Sequence, residues 1–229
     1  MIPLRDDVPR QRPPVVTWAI IGACVVVFIW QMNQPKMGEA YMFSPQWLVD
    51  QAKWATLGPW PMLRAIVLSM FMHGSVLHIA FNMLFLAVFG DNVEDRMGSA
   101  KYLGFYLLCG LIATLGHSVM SGFSGEPIVG ASGAIAGVMG AYYVLFKGAK
   151  VKTLLPICIL WTIIDVPAVF FIGFWFVVQV LQALSTASGA AHVAFWAHIA
   201  GFLAGALMAK PFVGKPKFRG PKVLRVKFD

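Results

Sequence analysis

Residues 130–146 read GASGAIAGVMGAYYVLF, a stretch that opens on two glycines and a serine and meets no charged residue before Lys147. Gly133 and Gly137 form the small-xxx-small spacing that lets membrane helices approach backbone to backbone. The same spacing recurs downstream in Gly201 and Gly205. A chain built on two such surfaces is expected to pack helix on helix within a bilayer.

Composition agrees. The 229 residues are 59% hydrophobic and 12% charged, against about 45–50% and about 25% for a typical soluble domain. Mean hydropathy is +0.73. Cys24, Cys109 and Cys158 are odd in number, lie in apolar runs and show no paired spacing. They read as small buried hydrophobes, with neither a disulfide framework nor a thiolate metal site.

A bilayer core requires about 20 apolar residues per helix. Six segments qualify: Val15 to Met32, Ala65 to Phe89, Tyr102 to Met120, Gly130 to Phe146, Val166 to Leu184 and Ala191 to Ala209. The expected fold class is all-α, a polytopic six-transmembrane-helix bundle. Residues 15–209 form its single membrane domain, 1–14 an N-terminal arm and 210–229 a basic tail. The apolar run from Thr153 to Leu184 is too long for one span. Its first part, Thr153 to Ile164, has the length of an interfacial or re-entrant segment. Asp165 followed by Pro167 reads as a helix start, with a capping carboxylate before a proline in the first turn.

Basic residues orient the bundle. Arg5, Arg10, Arg12, Arg96, Lys101, Lys147, Lys150, Lys152 and the seven Lys/Arg of the tail fall on one side, with only Lys36, Lys53 and Arg64 on the other. The positive-inside bias makes both termini cytoplasmic and fits a bacterial plasma membrane. The first segment lacks a small-residue cleavage site and is read as a retained span rather than a signal peptide. The tail, with Pro211, Pro216 and Pro221 among its cations, is read as binding anionic lipid rather than nucleic acid. The outer loop from Gln34 to Met62, with Met42, Phe43, Trp47, Leu48, Val49 and Trp54, is amphipathic and expected at the membrane interface.

Polar residues inside spans are costly and therefore candidates for chemistry. His73, Gly74, His78 and Asn82 lie in the second span, and His78 and Asn82, four apart, share a helix face. His78 lies about 14 to 20 Å inward from the outer side and His198 about 10 Å, at 1.5 Å per residue. Ser132 begins an inward-running helix from a short outer loop, so all three enter from one face. A hydroxyl nucleophile and an imidazole base at one depth point to hydrolysis inside a membrane, in a polar cavity open to the outside. Each motif taken singly has a plainer reading, as helix packing or a hydrogen-bonded core histidine. Gly122-Phe123-Ser124-Gly125 repeats the four-residue pattern in a polar loop, where Ser124 reads as a turn residue. Nor does Ser132 fit the soluble-hydrolase elbow, because Ala134 stands where that motif requires glycine.

Taken together, His78-x-x-x-Asn82, Gly130-x-Ser132-Gly133 and Ala197-His198-x-x-Gly201 resemble the rhomboid intramembrane serine proteases. Val93-Glu94-Asp95-Arg96-Met97-Gly98 is similar to the family's cytoplasmic Glu-x-Arg turn. The resemblance implies a protease acting on transmembrane proteins, with Ser132 as nucleophile and His198 as general base and later acid in a dyad. His78, Asn82 and the backbone N–H of Ser132 would stabilise the oxyanion, with no cofactor or metal. Asp165, the one acid within an apolar stretch, is badly placed to orient His198. Phe81 and Phe174-Trp175-Phe176 occupy stretches suited to the family's gate beside the second and fifth spans, with lipid contact the simpler account of each. This chain departs from some members in lacking an adjacent Trp-Arg pair in the outer loop. It also carries Ala136 where they have an aromatic that stacks on the base.

Two other classes compete with this reading: a membrane zinc protein using His73, His78 and His198, and a catalytically dead rhomboid relative that escorts membrane clients. The first lacks an H-E-x-x-H helix or equivalent carboxylates. The second would lack the serine or histidine, and both are present. A transporter would show paired broken helices, which are not evident.

Overall fold

The computed structural model describes residues 1–34, 41–157, 160–185 and 194–213. Its helices are α1 (Val15–Asn33), α2 (Gln51–Leu57), α3 (Pro59–Ser69), α4 (Val76–Met97), α5 (Ser99–Met120), α6 (Ser132–Leu145), α7 (Ala168–Ser185) and α8 (Phe195–Val213). Five of these, α1, α4, α5, α7 and α8, are long and apolar enough to cross a membrane, and α6 is a shorter apolar helix of 14 residues. Helices satisfy their backbone groups internally, as a lipid environment demands. The chain is thus an integral membrane protein with a polytopic helical fold.

The shortest of the six helices just named, α6, is at the centre. Every residue of α6 from Gly133 to Tyr142 is buried, whereas α7 exposes Phe170, Phe174, Val177, Leu181 and Leu184 and α1 exposes Trp18, Val26 and Ile29. Lipid is as apolar as leucine, so association rests on close packing rather than on hydrophobic transfer. Glycine supplies that closeness between α6 and α8. A Cβ on Gly201 would fall on the Gly133 carbonyl oxygen, and one on Gly205 on that of Gly137. On the other flank, Phe85 and Phe89 of α4 pack on Phe171 of α7, with ring centroids 6.2 and 6.0 Å apart.

The second span differs from the expected continuous run of Ala65 to Phe89. Helix α3 ends at Ser69 and α4 starts at Val76, where the Ser75 side chain caps it by accepting the His78 N–H. Gly74 and Ser75 interrupt the helix, and Gln31 at the end of α1 accepts the His73 N–H at 3.0 Å.

A larger correction concerns Thr153 to Ile164. Apart from residues 158 and 159, which lie outside the described residues, this stretch is extended and makes up most of an antiparallel strand pair, β2 (Lys150–Ile157) and β3 (Leu160–Pro167). Its Val, Ile and Thr side chains suit a pleated surface better than a helix. Asp165 sits in β3 and pairs with Lys152 at 3.0 Å instead of capping a helix. Helix α7 starts only after Pro167.

The N-terminal arm is also structured. Residues Ile2–Asp6 form β1, which pairs antiparallel with β2 to give the order β1-β2-β3. Asp6 accepts hydrogen bonds from Asn92 of α4 and Tyr142 of α6. Burial raises its carboxyl from 3.8 to about 6, against the lowering effect of the Tyr142 hydroxyl. Nearby, Glu94 is 2% exposed. It accepts from the N–H groups of Val16 and Thr17 at 2.9 and 2.8 Å, the Thr17 hydroxyl at 2.8 Å and the Ser99 hydroxyl at 2.6 Å. A carboxylate at the first turn of α1 meets orphan amides and the positive end of the helix dipole together. In Val93–Gly98 the glutamate ties elements together, helped by Asp95, which accepts the Gln11 N–H at 2.9 Å, while Arg96 is exposed.

At the other end of the chain, α8 continues through Lys210 and Pro211 to Val213, so the expected tail begins as helix. Residues 214–229, the start expected for the sixth span at Ala191, and Cys158 lie outside the described residues.

Candidate active site

Ser132 is the first residue of α6, and Gly130, two residues before it, has φ +122°. That backbone conformation is open to glycine at little cost and ends any helical continuation upstream. The helix therefore begins at Ser132 rather than at Gly130. Its first turn puts the hydroxyl beside α8, one turn into which lies His198.

The Ser132 Oγ and His198 Nε2 atoms are 2.9 Å apart. On the opposite edge of the ring, His198 Nδ1 lies 2.7 Å from the Oε1 of Gln179, on α7. The ring is further enclosed by Trp175 and Phe195, at centroid distances of 5.9 and 6.2 Å. The position four residues after Ser132 is Ala136, buried and too small to stack. Trp175 supplies an aromatic face from a different helix.

His78 extends the site from α4, and Asn82 lies one helical turn further along the same helix. A Cβ built on Gly130 would come within 2.9 Å of the His78 Nε2 and 3.6 Å of the Ser132 Oγ. The His78 imidazole and the Ser132 hydroxyl thus flank the same glycine. His78 also stands edge-on to His73, with centroids 5.1 Å apart. Asn82 is buried, and its Nδ2 has no hydrogen-bond partner. A buried amide donor without a protein partner is available to an acceptor brought by a ligand. A cavity of about 20 Å³ adjoins Ser132, lined by Met70, Thr114, Val129, Gly130 and Ala197 among others. That is room for about one water molecule.

The remaining candidates fall elsewhere. Ser124 lies in the loop before α6, where its carbonyl oxygen accepts the Gln46 N–H at 3.0 Å. His73 directs Nδ1 toward the Phe71 carbonyl oxygen at 3.2 Å. Among the described residues no group of three or more His, Cys, Asp or Glu side chains is disposed to hold a metal ion. Phe81 and Phe174 are exposed on α4 and α7. The segment between α1 and α3 holds α2, capped by Asp50 accepting the Lys53 N–H, and the Lys53 ammonium sits 4.2 Å from the Trp47 ring centroid. A bridge between Phe43 and Ile128 ties this segment to the approach to Ser132.

Gln179 is the site neighbour that the sequence reading does not single out. The signal is present, since a polar side chain inside an apolar span is a functional candidate by default.

The Rhomboid domain family model matches residues 60–215, from α3 through the end of α8. That match takes in more than half of the chain and every residue of the cluster around Ser132. The chain belongs to the rhomboid family and is an intramembrane serine protease, acting within a bilayer on membrane proteins.

Proposed function

We propose that Ser132 is the nucleophile of this protease and His198 its general base. The observation that carries this reading is the 2.9 Å contact between Ser132 Oγ and His198 Nε2. Nε2 takes the hydroxyl proton as Oγ attacks the scissile carbonyl carbon. The carbonyl π electrons move onto oxygen, giving a tetrahedral oxyanion. His198 then returns the proton to the leaving amide nitrogen, and the C–N bond breaks. Water, activated by the same imidazole, hydrolyses the acyl-enzyme.

The oxyanion is stabilised by Asn82, His78 and the Ser132 backbone N–H. Support for Asn82 comes from its unpartnered, buried Nδ2, and support for His78 from its approach to Gly130 and Ser132. Donors aimed in advance at the developing charge stabilise it without reorganisation.

The substrates are single-span membrane proteins cut near the outer side, where the bond is locally unwound and flanked by small residues. Both termini of this chain face the cytoplasm, an orientation supported by the distribution of Lys and Arg. The host membrane is a bacterial plasma membrane. The test is incubation of purified protein in detergent with labelled transmembrane peptides beside a Ser132→Ala control. Cleavage by the wild type alone is expected. Cleavage by both, or by neither across several peptides, overturns the assignment.

A further inference from the structure

The ring nitrogen of His198 that faces away from Ser132 is not free. Gln179 projects from α7 and brings its Oε1 to 2.7 Å from Nδ1. An amide side chain can present either oxygen or nitrogen, so the direction of this hydrogen bond depends on what holds its other end. The other end is held: Gln179 Nε2 donates to the Trp175 carbonyl oxygen at 3.4 Å. A carbonyl oxygen accepts only, so nitrogen faces Trp175 and oxygen faces His198. Nδ1 must then carry the proton it donates, and Nε2 is left with a lone pair toward Ser132. That is the tautomer a base needs.

We infer that Gln179 is a positioning residue for the protease reaction, holding His198 in the Nδ1–H tautomer with Nε2 aimed at Ser132. The inference rests on reading Ser132 and His198 as the dyad. Two contacts from one stretch of α7 fix the ring: Gln179 at its edge and Trp175 beside its face. Gln179 is itself 7% exposed, so water does not compete freely for its amide.

A neutral orienter suits this location. The titratable groups electrostatically nearest His198 are His78 on α4 and His117 on α5, and His117 is in turn near Glu126. A carboxylate placed against Nδ1 would be a buried charge whenever His198 is neutral, at a substantial desolvation cost. An amide supplies the same acceptor without that cost. It gives up the extra stabilisation a carboxylate would offer the imidazolium formed during catalysis.

The experiment compares wild type, Gln179→Met and Gln179→Glu on one labelled transmembrane peptide, recording kcat, KM, pH profile and melting temperature. Gln179→Met keeps the volume and removes the acceptor. It should lower kcat by about 10²-fold, within the range of a general base's contribution, and leave KM nearly unchanged. Gln179→Glu restores the acceptor and should recover at least tenfold of that loss. It should also move the acid limb of the profile up by about one pH unit, because a carboxylate on Nδ1 favours the imidazolium. In nitrogen-15 histidine-labelled protein, His198 should appear as the Nδ1–H tautomer in wild type and shift toward Nε2–H in Gln179→Met.

Wild-type kcat in Gln179→Met overturns the proposal. So does equal impairment of both variants with lowered melting temperature and an unmoved acid limb, which would mark a space-filling role. So does an Nε2–H tautomer in the wild type. Failure of the underlying dyad reading is distinguishable, because Ser132→Ala would then still cleave the peptide.

Discussion

A methyl group on Gly205 would fall on the carbonyl oxygen of Gly137. The helices carrying His198 and Ser132 are therefore in backbone contact one to two turns below the site. The spacing between the two side chains is inherited from that contact. Gly205→Ala should push α6 and α8 apart, costing about 1–3 kcal/mol as overpacking does, and should lower cleavage together with melting temperature. Gly104→Ala, at a helical position with open space around it, should leave both near wild type. Thermal melts and initial rates on the same samples check this.

Ser132→Ala and His198→Ala should each reduce proteolysis to near background. The double variant should be scarcely worse, because groups that act as a unit are non-additive. Ser124→Ala should cleave at the wild-type rate. A fluorophosphonate probe should label Ser132 once and lose reactivity in His198→Ala, since an unassisted serine hydroxyl is a poor nucleophile. Mass spectrometry of the labelled protein reads the site directly.

Asn82→Ala should lower turnover by about 10² to 10³, typical of losing one oxyanion donor, with an unchanged melting temperature. Its Nδ2 has no partner to lose in the resting site. Residual activity should exceed that of Ser132→Ala, because the backbone donor survives. An Asn82→Ala protein that is fully active, or inactive only because it is unfolded, would remove Asn82 from the site.

The Asp6 carboxyl is raised by burial from 3.8 to about 6. The folded chain thus binds that proton more tightly than the unfolded one. The stability it contributes is fully present below about pH 4 and lost as pH rises through about 6. Asp6→Asn should flatten this part of the stability profile and melt higher than wild type at pH 7.5. Melting temperature measured from pH 4 to 8 on both proteins tests the sign.

Much of this arrangement is legible in the sequence, because membrane helices announce themselves by length and apolarity. The first, third, fourth, fifth and sixth segments are helices within a few residues of their expected ends, where those ends are described. The motif spacings also single out Ser132, His198, His78 and Asn82; the fold brings the first three side by side, with Asn82 one helical turn beyond His78. The hairpin is not legible, because a continuous apolar run such as Leu154 to Ile164 does not distinguish strand from helix by periodicity. The break at Gly74 and Ser75 is hidden by apolar residues on both sides. Gln179 shows a different limit. Its polarity marks it as unusual in an apolar span, but the partner that gives it meaning is 19 positions away on another helix.

The strand β1 joins the first residues of the chain to a hairpin synthesised much later: Ile2 pairs with Leu154 and Asp6 with Val151. Four of the membrane helices, α1, α4, α5 and α6, lie between the two. During synthesis the strand has no mate until all four have been made. When it closes, Asp6 meets Asn92 from α4 and Tyr142 from α6, residues that share one end of the bundle only if those helices were inserted in the correct sense. The closed sheet thus depends on a correctly threaded set of helices.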